Sequence, residues 1–136
     1  MEVMLTSSVF AALLAAARAA FPQEACGILL GERRAGREHI TAIQAARNVH
    51  SAPQTHFEID PQALIDAHRA ARAPGATQVI GYYHSHPNGH PEPSPTDQAQ
   101  STRDGTIWAI VAGDSVQFWR DGEDGFTALS FTIIES

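Results

Sequence analysis

The residues best suited to chemistry lie between Tyr82 and Gln98, in the stretch YYHSHPNGHPEPSPTDQ. His84 and His86 are separated by one residue, so on a β-strand both side chains project from the same face, with their Cα atoms about 6–7 Å apart. Two imidazoles in this arrangement can bind one metal ion. Because His-x-His alone is a weak indication of a metal site, the interpretation depends on the residues after His86.

The segment SPTD, which ends at Asp97, is typical of a helix N-terminus. Ser94 would be the N-cap, followed by proline at the first helical position and an acid at the third. A capping box alone would account for these residues. The prolines before Ser94, however, stiffen a loop short enough to return Asp97 to the two histidines. His84, His86 and Asp97 would then form a three-ligand zinc site with the fourth position open to water, which permits catalysis.

Amide hydrolysis at such a site also needs a general base, because a proton must reach the leaving nitrogen. Glu24 is the candidate, since an acid seldom begins an apolar run such as EACGILLG without a purpose. Cys26 lacks an identifiable base partner, and we interpret it as a small buried core residue rather than a nucleophile. We interpret His90 as a solvated loop residue and His56 as an ordinary strand histidine, while a contact of either with the site stays open.

Glu24, His84-x-His86, seven further residues and Ser94-x-x-Asp97 together resemble the JAMM motif of the MPN+ metalloprotease family. EACGILLG and GYYHSHP are also similar to that family, and the resemblance extends over nearly the whole chain. It implies a mixed α/β fold with a curved central sheet flanked by helices, related to cytidine deaminases. It further implies one zinc ion per chain bound by His84, His86 and Asp97, with Glu24 activating the water and Ser94 bonding the developing oxyanion.

The same resemblance implies a zinc-dependent (iso)peptidase, a JAMM-type hydrolase. Its substrate would be an amide bond at the C-terminal Gly-Gly tail of a ubiquitin-like or sulfur-carrier protein. An extended tail would bind by adding a strand beside the site. The alternative is a catalytically inactive MPN-type scaffold, a protein-interaction module of the same fold. Such scaffolds generally lack part of the ligand set, whereas this chain lacks none of it. A homodimer is left open.

Composition limits the other classes of function. The 136 residues, 43% hydrophobic and 18% charged, predict one catalytic domain over residues 1–136. A net charge of −6 argues against binding to nucleic acid or to an anionic membrane. No apolar run reaches the roughly 18 residues of a membrane span. A single cysteine favours a reducing compartment, and we predict a cytoplasmic protein. We attribute the absence of lysine to base composition of the gene.

The positioning elements predicted from the sequence are three helices and about eight short strands. The helices begin at a cap on Ser7 or Ser8, at Asp60-Pro61 and at Ser94, and they end near residues 20, 73 and 103. The predicted strands are EVMLT, EACGILLGE, HITAIQAARNV (one or two strands), THFEI, TQVIGYYHSH, TIWAIVAG, SVQFWRDG and FTALSFTII.

Overall fold

The computed structural model describes residues 3–135, which form eight strands and three helices. The strands are β1 (Val3–Thr6), β2 (Cys26–Arg34), β3 (Arg37–Ala46), β4 (Gln78–Ser85), β5 (Ile107–Ala112), β6 (Ser115–Gly122), β7 (Gly125–Leu129) and β8 (Phe131–Ile134). The helices are α1 (Ser7–Ala20), α2 (Pro61–Ala70) and α3 (Pro95–Ala99). The predicted mixed α/β class is confirmed. The first predicted strand includes Glu2, which lies outside the described residues.

The described strands belong to one sheet, in the order β7-β6-β5-β4-β2-β3-β1-β8. β1 is parallel to β3 and β8, β4 is parallel to β5, and the other neighbours are antiparallel. Phe118 on β6 and Phe131 on β8 are six strands apart in this order, which would be about 29 Å in a flat sheet. Their ring centroids are 5.1 Å apart. The sheet is therefore strongly curved, as the resemblance implied.

Helix α1 packs against one face of this curved sheet and contacts β1, β3, β5, β6 and β8. Val9 and Leu13, four residues apart on one side of the helix, are its buried residues. The N-cap is Thr6, whose Oγ1 accepts from the Val9 amide at 3.2 Å. The prediction of a cap at Ser7 or Ser8 is therefore wrong, because the preceding threonine already supplies the acceptor and both serines are helical.

Strand β4 lies near the middle of the sheet, between β2 and β5. Tyr83 belongs to the core on the α1 side, so Tyr82 and His84 point to the opposite face. The Tyr83 ring covers Gly27 on β2, where an added Cβ would lie 2.4 Å from both that ring and the Gln44 carbonyl oxygen. Glycine at this position allows β2, β3 and β4 to pack closely where the candidate site begins.

Two predicted strands differ from the observed ones. THFEI is wrong as a strand, because residues 49–60 form a loop whose one β-bridge in the described structure joins Asn48 to Ile59. The Asn48 side chain bonds backbone amides of this loop that a strand would have paired with a neighbour. The last predicted strand is divided into β7 and β8 at Ser130, whose carbonyl accepts from the Val3 amide.

Helices α2 and α3 both end earlier than predicted, at Ala70 and Ala99. After α3, the buried carboxylate of Asp121 accepts from the backbone amides of Thr102 at 3.1 Å and Arg103 at 3.3 Å. These bonds hold the segment in a non-helical path. Within residues 3–135, no helix is both long and apolar enough to cross a membrane.

Candidate metal centre

The end of β4 places two buried histidines on the same face of the sheet. His84 is 1% exposed and His86 is 5% exposed, and their Nε2 atoms are 3.0 Å apart. His86 comes directly after the last residue of β4, yet its amide still donates to the Val111 carbonyl on the neighbouring strand at 2.8 Å. Ser85 points the other way and its Oγ accepts from the Ala25 amide at 2.8 Å. The predicted convergence of the two imidazoles is confirmed.

Asp97 joins them from the first turn of α3. Ser94 is the N-cap of this helix, its Oγ accepts from the Asp97 amide at 3.0 Å, and Asp97 Oδ2 accepts from the Ser94 amide at 2.9 Å. The predicted capping box is therefore present. The same Oδ2 lies 3.1 Å from His84 Nε2 and 3.0 Å from His86 Nε2. The proline-rich loop thus returns the acid to the histidines, as the spacing predicted.

A hydrogen bond sets the tautomer of His86. Its Nδ1 lies 2.6 Å from the His90 carbonyl oxygen, so Nδ1 is the donor. In the neutral ring, Nε2 then presents its lone pair towards His84 and Asp97, the arrangement typical of a metal-binding histidine. His90 therefore touches the site through its main chain. No contact of its ring with the site appears in the described structure.

Glu24 lies two residues before the start of β2 and is 6% exposed. One of its carboxylate oxygens and one ring nitrogen of each histidine lie within 4.8 Å of one another. Burial raises the pKa of Glu24 to about 7, with the charge of His86 opposing the shift and that of Asp97 reinforcing it. An acid with such a pKa can exchange protons readily near neutral pH.

Two groups of three side chains could therefore hold a metal ion, because His84 and His86 can be completed by Glu24 or by Asp97. Tetrahedral zinc with ligands at 2.0–2.2 Å holds them about 3.3–3.6 Å apart. The Asp97 group, with separations of 3.0–3.1 Å, needs only a small expansion to fit. The Glu24 group extends over as much as 4.8 Å. These separations fit zinc better in the Asp97 group than in the Glu24 group, and Glu24 would then lie beside a bound metal.

The charges of the metal-free site suit a cation. Burial lowers the pKa of His84, although the bond to Asp97 acts against this. Burial acts in the same direction on His86, but its bonds to Asp97 and to the His90 carbonyl outweigh it and raise the pKa. Burial would raise the pKa of Asp97, yet the bonds from both histidines hold it well below its usual range. A metal at Nε2 would compete with protonation of the His86 ring.

The sequence interpretation missed the aromatic wall of the site. Phe57 stacks on the His84 imidazole with centroids 4.2 Å apart and an interplanar angle of 17°, and Trp108 meets the same ring edge-on at 5.5 Å. Both residues also line a cavity of about 570 Å³ that reaches His84, Tyr82 and α2. Phe57 is 27 residues before His84 and sits in a loop, so no local pattern indicated this contact.

A second cavity, of about 240 Å³, lies against Ser85 and His86, with Arg18 and Phe21 at the C-terminal end of α1 in its wall.

Cys26 is 2% exposed, and burial together with the charge of Glu24 raises the pKa of its thiol to about 11. The interpretation of Cys26 as a core residue is thus confirmed.

His56 is not on a strand, because the segment predicted to be that strand is a loop. Its ring stacks on His50 at 4.6 Å. His50 lines the larger cavity. The described structure shows no contact of the His56 ring with the candidate ligands.

Comparison with known proteins supports the same interpretation. Residues 6–122 match the family described as prokaryotic homologs of the JAB domain. The chain is 33% identical over 93 residues to a desampylase of Haloferax volcanii, covering 68% of this chain and 65% of the relative. It is 37% identical over 76 residues to a Thermus thermophilus protein named "Probable TtuB-protein conjugate cleaving protease", covering 56% and 47%.

A third relative, the tail tip assembly protein K of Escherichia phage N15, is 30% identical over 112 residues, covering 82% of this chain and 39% of the relative. The chain thus spans less than two thirds of the length of these relatives.

Two solution structures share the fold. A protein of Desulfitobacterium hafniense has a TM-score of 0.86 at 26% identity, covering 98% of this chain and 94% of that one. A protein of Salinibacter ruber has a TM-score of 0.68 at 27% identity, covering 98% and 91%. The family match covers most of the chain and includes every candidate site residue, so the chain belongs to the prokaryotic homologues of the JAB domain.

Proposed function

We propose that the protein is a zinc-dependent (iso)peptidase that hydrolyses an amide bond at the C-terminal Gly-Gly tail of a ubiquitin-like or sulfur-carrier protein. The observation that carries this proposal is the buried triangle of His84 Nε2, His86 Nε2 and Asp97 Oδ2, with sides of 3.0–3.1 Å. Support for the substrate class comes from two relatives, named as a desampylase and a TtuB-conjugate cleaving protease.

In this proposal His84, His86 and Asp97 hold one zinc ion per chain. Zinc bound there would supply a water of pKa about 7 and would polarise the scissile carbonyl. Glu24 accepts the proton of the attacking water and later delivers it to the departing amine. The pKa of about 7 that burial produces in the metal-free protein makes Glu24 able to act in both directions.

Ser94 can serve as helix cap and as oxyanion donor at once. Its Oγ accepts from the Asp97 amide through a lone pair, which leaves the hydroxyl hydrogen available. We propose that this hydrogen is donated to the oxygen that becomes negative during attack. The loss of one such donor typically lowers kcat about 10²–10³-fold.

The tail is proposed to bind in extended form next to His84. β4 is already paired on both sides, by β2 and β5, so the tail cannot add a strand to β4 itself. We propose that the tail pairs instead with the backbone of the loops around the larger cavity. This cavity has aromatic and aliphatic walls, including Phe57, Leu64 and Trp108, that suit apolar side chains preceding the Gly-Gly.

An inactive scaffold of the same fold remains the alternative. A scaffold has no need for two imidazoles and a carboxylate buried with their ligand atoms 3.0–3.1 Å apart, since desolvating titratable groups is costly even when they bond one another. We also propose a cytoplasmic location, consistent with the single buried thiol of Cys26. A homodimer stays a prediction, and light scattering of the purified protein would test it.

The proposal is tested with a ubiquitin-like protein joined through its C-terminal glycine to the ε-amine of a lysine peptide. We expect cleavage after the Gly-Gly, loss of cleavage in a strong chelator, and recovery when one equivalent of zinc is restored. A matched conjugate ending in Ala-Ala should be cleaved at least about 10-fold more slowly if the site is narrow around the tail. Full activity in the chelator, or zinc binding without cleavage of any Gly-Gly conjugate, would contradict the proposal.

A further inference from the structure

Asn48 joins two parts of the site through one side-chain amide. It lies after β3, is half-buried, and immediately precedes the loop of residues 49–60. Its Nδ2 donates to the Glu24 carbonyl at 3.1 Å and to the His56 carbonyl at 2.9 Å. Its Oδ1 accepts from the amides of His50 and Glu58, both at 3.1 Å. The Asn48 side chain therefore bonds its surroundings through both its NH₂ group and its carbonyl oxygen.

The first part that Asn48 holds is the backbone of Glu24. The Glu24 carbonyl accepts from Asn48, and the Glu24 amide donates to the Pro53 carbonyl at 2.7 Å, in the same loop. The next residue, Ala25, exchanges two bonds with Ser85 on β4. Glu24 lies outside β2, so these bonds, rather than a sheet ladder, hold the backbone that carries its carboxylate.

The second part is the aromatic wall. Phe57 lies between His56 and Glu58, and both of these neighbours bond Asn48 through their main chains. The Phe57 ring stacks on His84 at 4.2 Å. One side chain thus restrains both the proposed general base and the ring that packs on a proposed metal ligand.

We propose that Asn48 is a positioning residue for hydrolysis, which holds Glu24 and Phe57 in register with the metal ligands. This inference rests on the proposed function, because it assigns Asn48 an effect on turnover through Glu24. A displacement of about 1 Å in such a group can lower the rate about 10²-fold. Loss of Asn48 should therefore lower kcat more than it changes KM.

The informative substitution is Asn48→Asp, which has nearly the same shape but cannot donate. It keeps the acceptor for His50 and Glu58 and loses the donated bonds to the carbonyls of Glu24 and His56, together with a longer one to Pro53 at 3.5 Å. Asn48→Ser, with a shorter side chain, is the second variant. The matched control is Gln78→Glu, because Gln78 Nε2 also donates to two carbonyls of a turn, those of Ala71 and Ala76, at 2.9 and 3.1 Å. Gln78 lies at the other end of β4, about 20 Å from His84 by strand rise.

Two measurements are made on each variant. In the metal-free protein, NMR amide hydrogen exchange should be at least about 10-fold faster at Glu24 in Asn48→Asp than in wild type, relative to the amides of β5. In the folded, zinc-loaded protein, kcat should fall about 10–100-fold with KM within about threefold. Gln78→Glu should leave Glu24 exchange and kcat within about twofold of wild type.

The inference is overturned if Asn48→Asp keeps kcat per folded molecule within about twofold of wild type, or if Glu24 exchange does not change relative to β5. It is also overturned if neither Asn48 variant folds at low temperature, because Asn48 would then be required for the fold alone. A wild-type protein that cleaves no conjugate would instead refute the proposed function, and the exchange measurement would still test the positioning of Glu24.

Discussion

Substitution of Glu24 by glutamine separates its chemical role from its structural one. The amide has nearly the volume of the acid but cannot accept the proton of the attacking water. Because Asp97 completes the tighter ligand group, Glu24→Gln should still bind one zinc ion and the substrate. We expect hydrolysis to fall at least about 10²-fold, the lower range for a lost general base.

The same substitution should stabilise the metal-free protein at high pH. Burial raises the pKa of Glu24 from 4.5 to about 7. An acid with a raised folded pKa stabilises the fold fully below its unfolded pKa, and this contribution is lost as pH rises through 7. The full shift corresponds to roughly 3 kcal/mol, and we expect about 1–2 kcal/mol because solvent screening reduces the effect of the charge.

The assay compares melting temperatures of metal-free wild type and Glu24→Gln at pH 8 and pH 4.5, with zinc content and turnover measured on the same preparations. The variant should melt about 3–8 °C higher at pH 8 and show little difference at pH 4.5. Equal melting temperatures at pH 8 would refute the role of burial. Turnover within a few-fold of wild type would remove Glu24 from the mechanism, and loss of zinc would make it a ligand.

The hydrogen bonds of the site and its support lead to three further predictions. Ser94→Ala should lower kcat about 10²–10³-fold and cost about 1 kcal/mol of stability through the lost cap; a lowered melting temperature with unchanged kcat would reduce Ser94 to a cap. Zinc affinity should decrease as pH falls through the raised pKa of His86, because zinc and the proton compete for the ring. Calorimetric titration with zinc at several pH values measures this dependence, and a zinc affinity independent of pH would contradict the prediction. Asp121→Asn should cost about 1–3 kcal/mol in denaturant unfolding, because the buried carboxylate accepts from the 101–103 segment, while zinc content stays unchanged; equal stability would contradict that anchoring role.

Sequence reasoning succeeded where the geometry is local. The two-residue spacing of His84 and His86 on a strand and the capping box from Ser94 to Asp97 each determine where side chains point over a few residues. Both arrangements are present in the structure. Their meeting depended on a short loop stiffened by prolines, which leaves the chain few alternatives.

The rest of the site depends on contacts between distant segments. Phe57 reaches His84 only because residues 49–60 form a loop, and that loop depends on the Asn48 amide rather than on propensity. The run THFEI has strand propensity, and tertiary hydrogen bonding overrode it. The curvature that brings Phe118 to Phe131 likewise depends on pairing of β8 with β1, which no local pattern encodes.

The central claim is that His84, His86 and Asp97 hold a zinc ion with Glu24 beside it. Anomalous diffraction at the zinc absorption edge, on crystals of protein purified without added metal, tests it most directly. We predict one anomalous peak per chain, bonded to Nε2 of both histidines and to an Asp97 carboxylate oxygen, with the Glu24 carboxylate within hydrogen-bonding distance of the water on the metal. A peak bonded to Glu24 in place of Asp97, or no peak at the histidines in active protein, would contradict it.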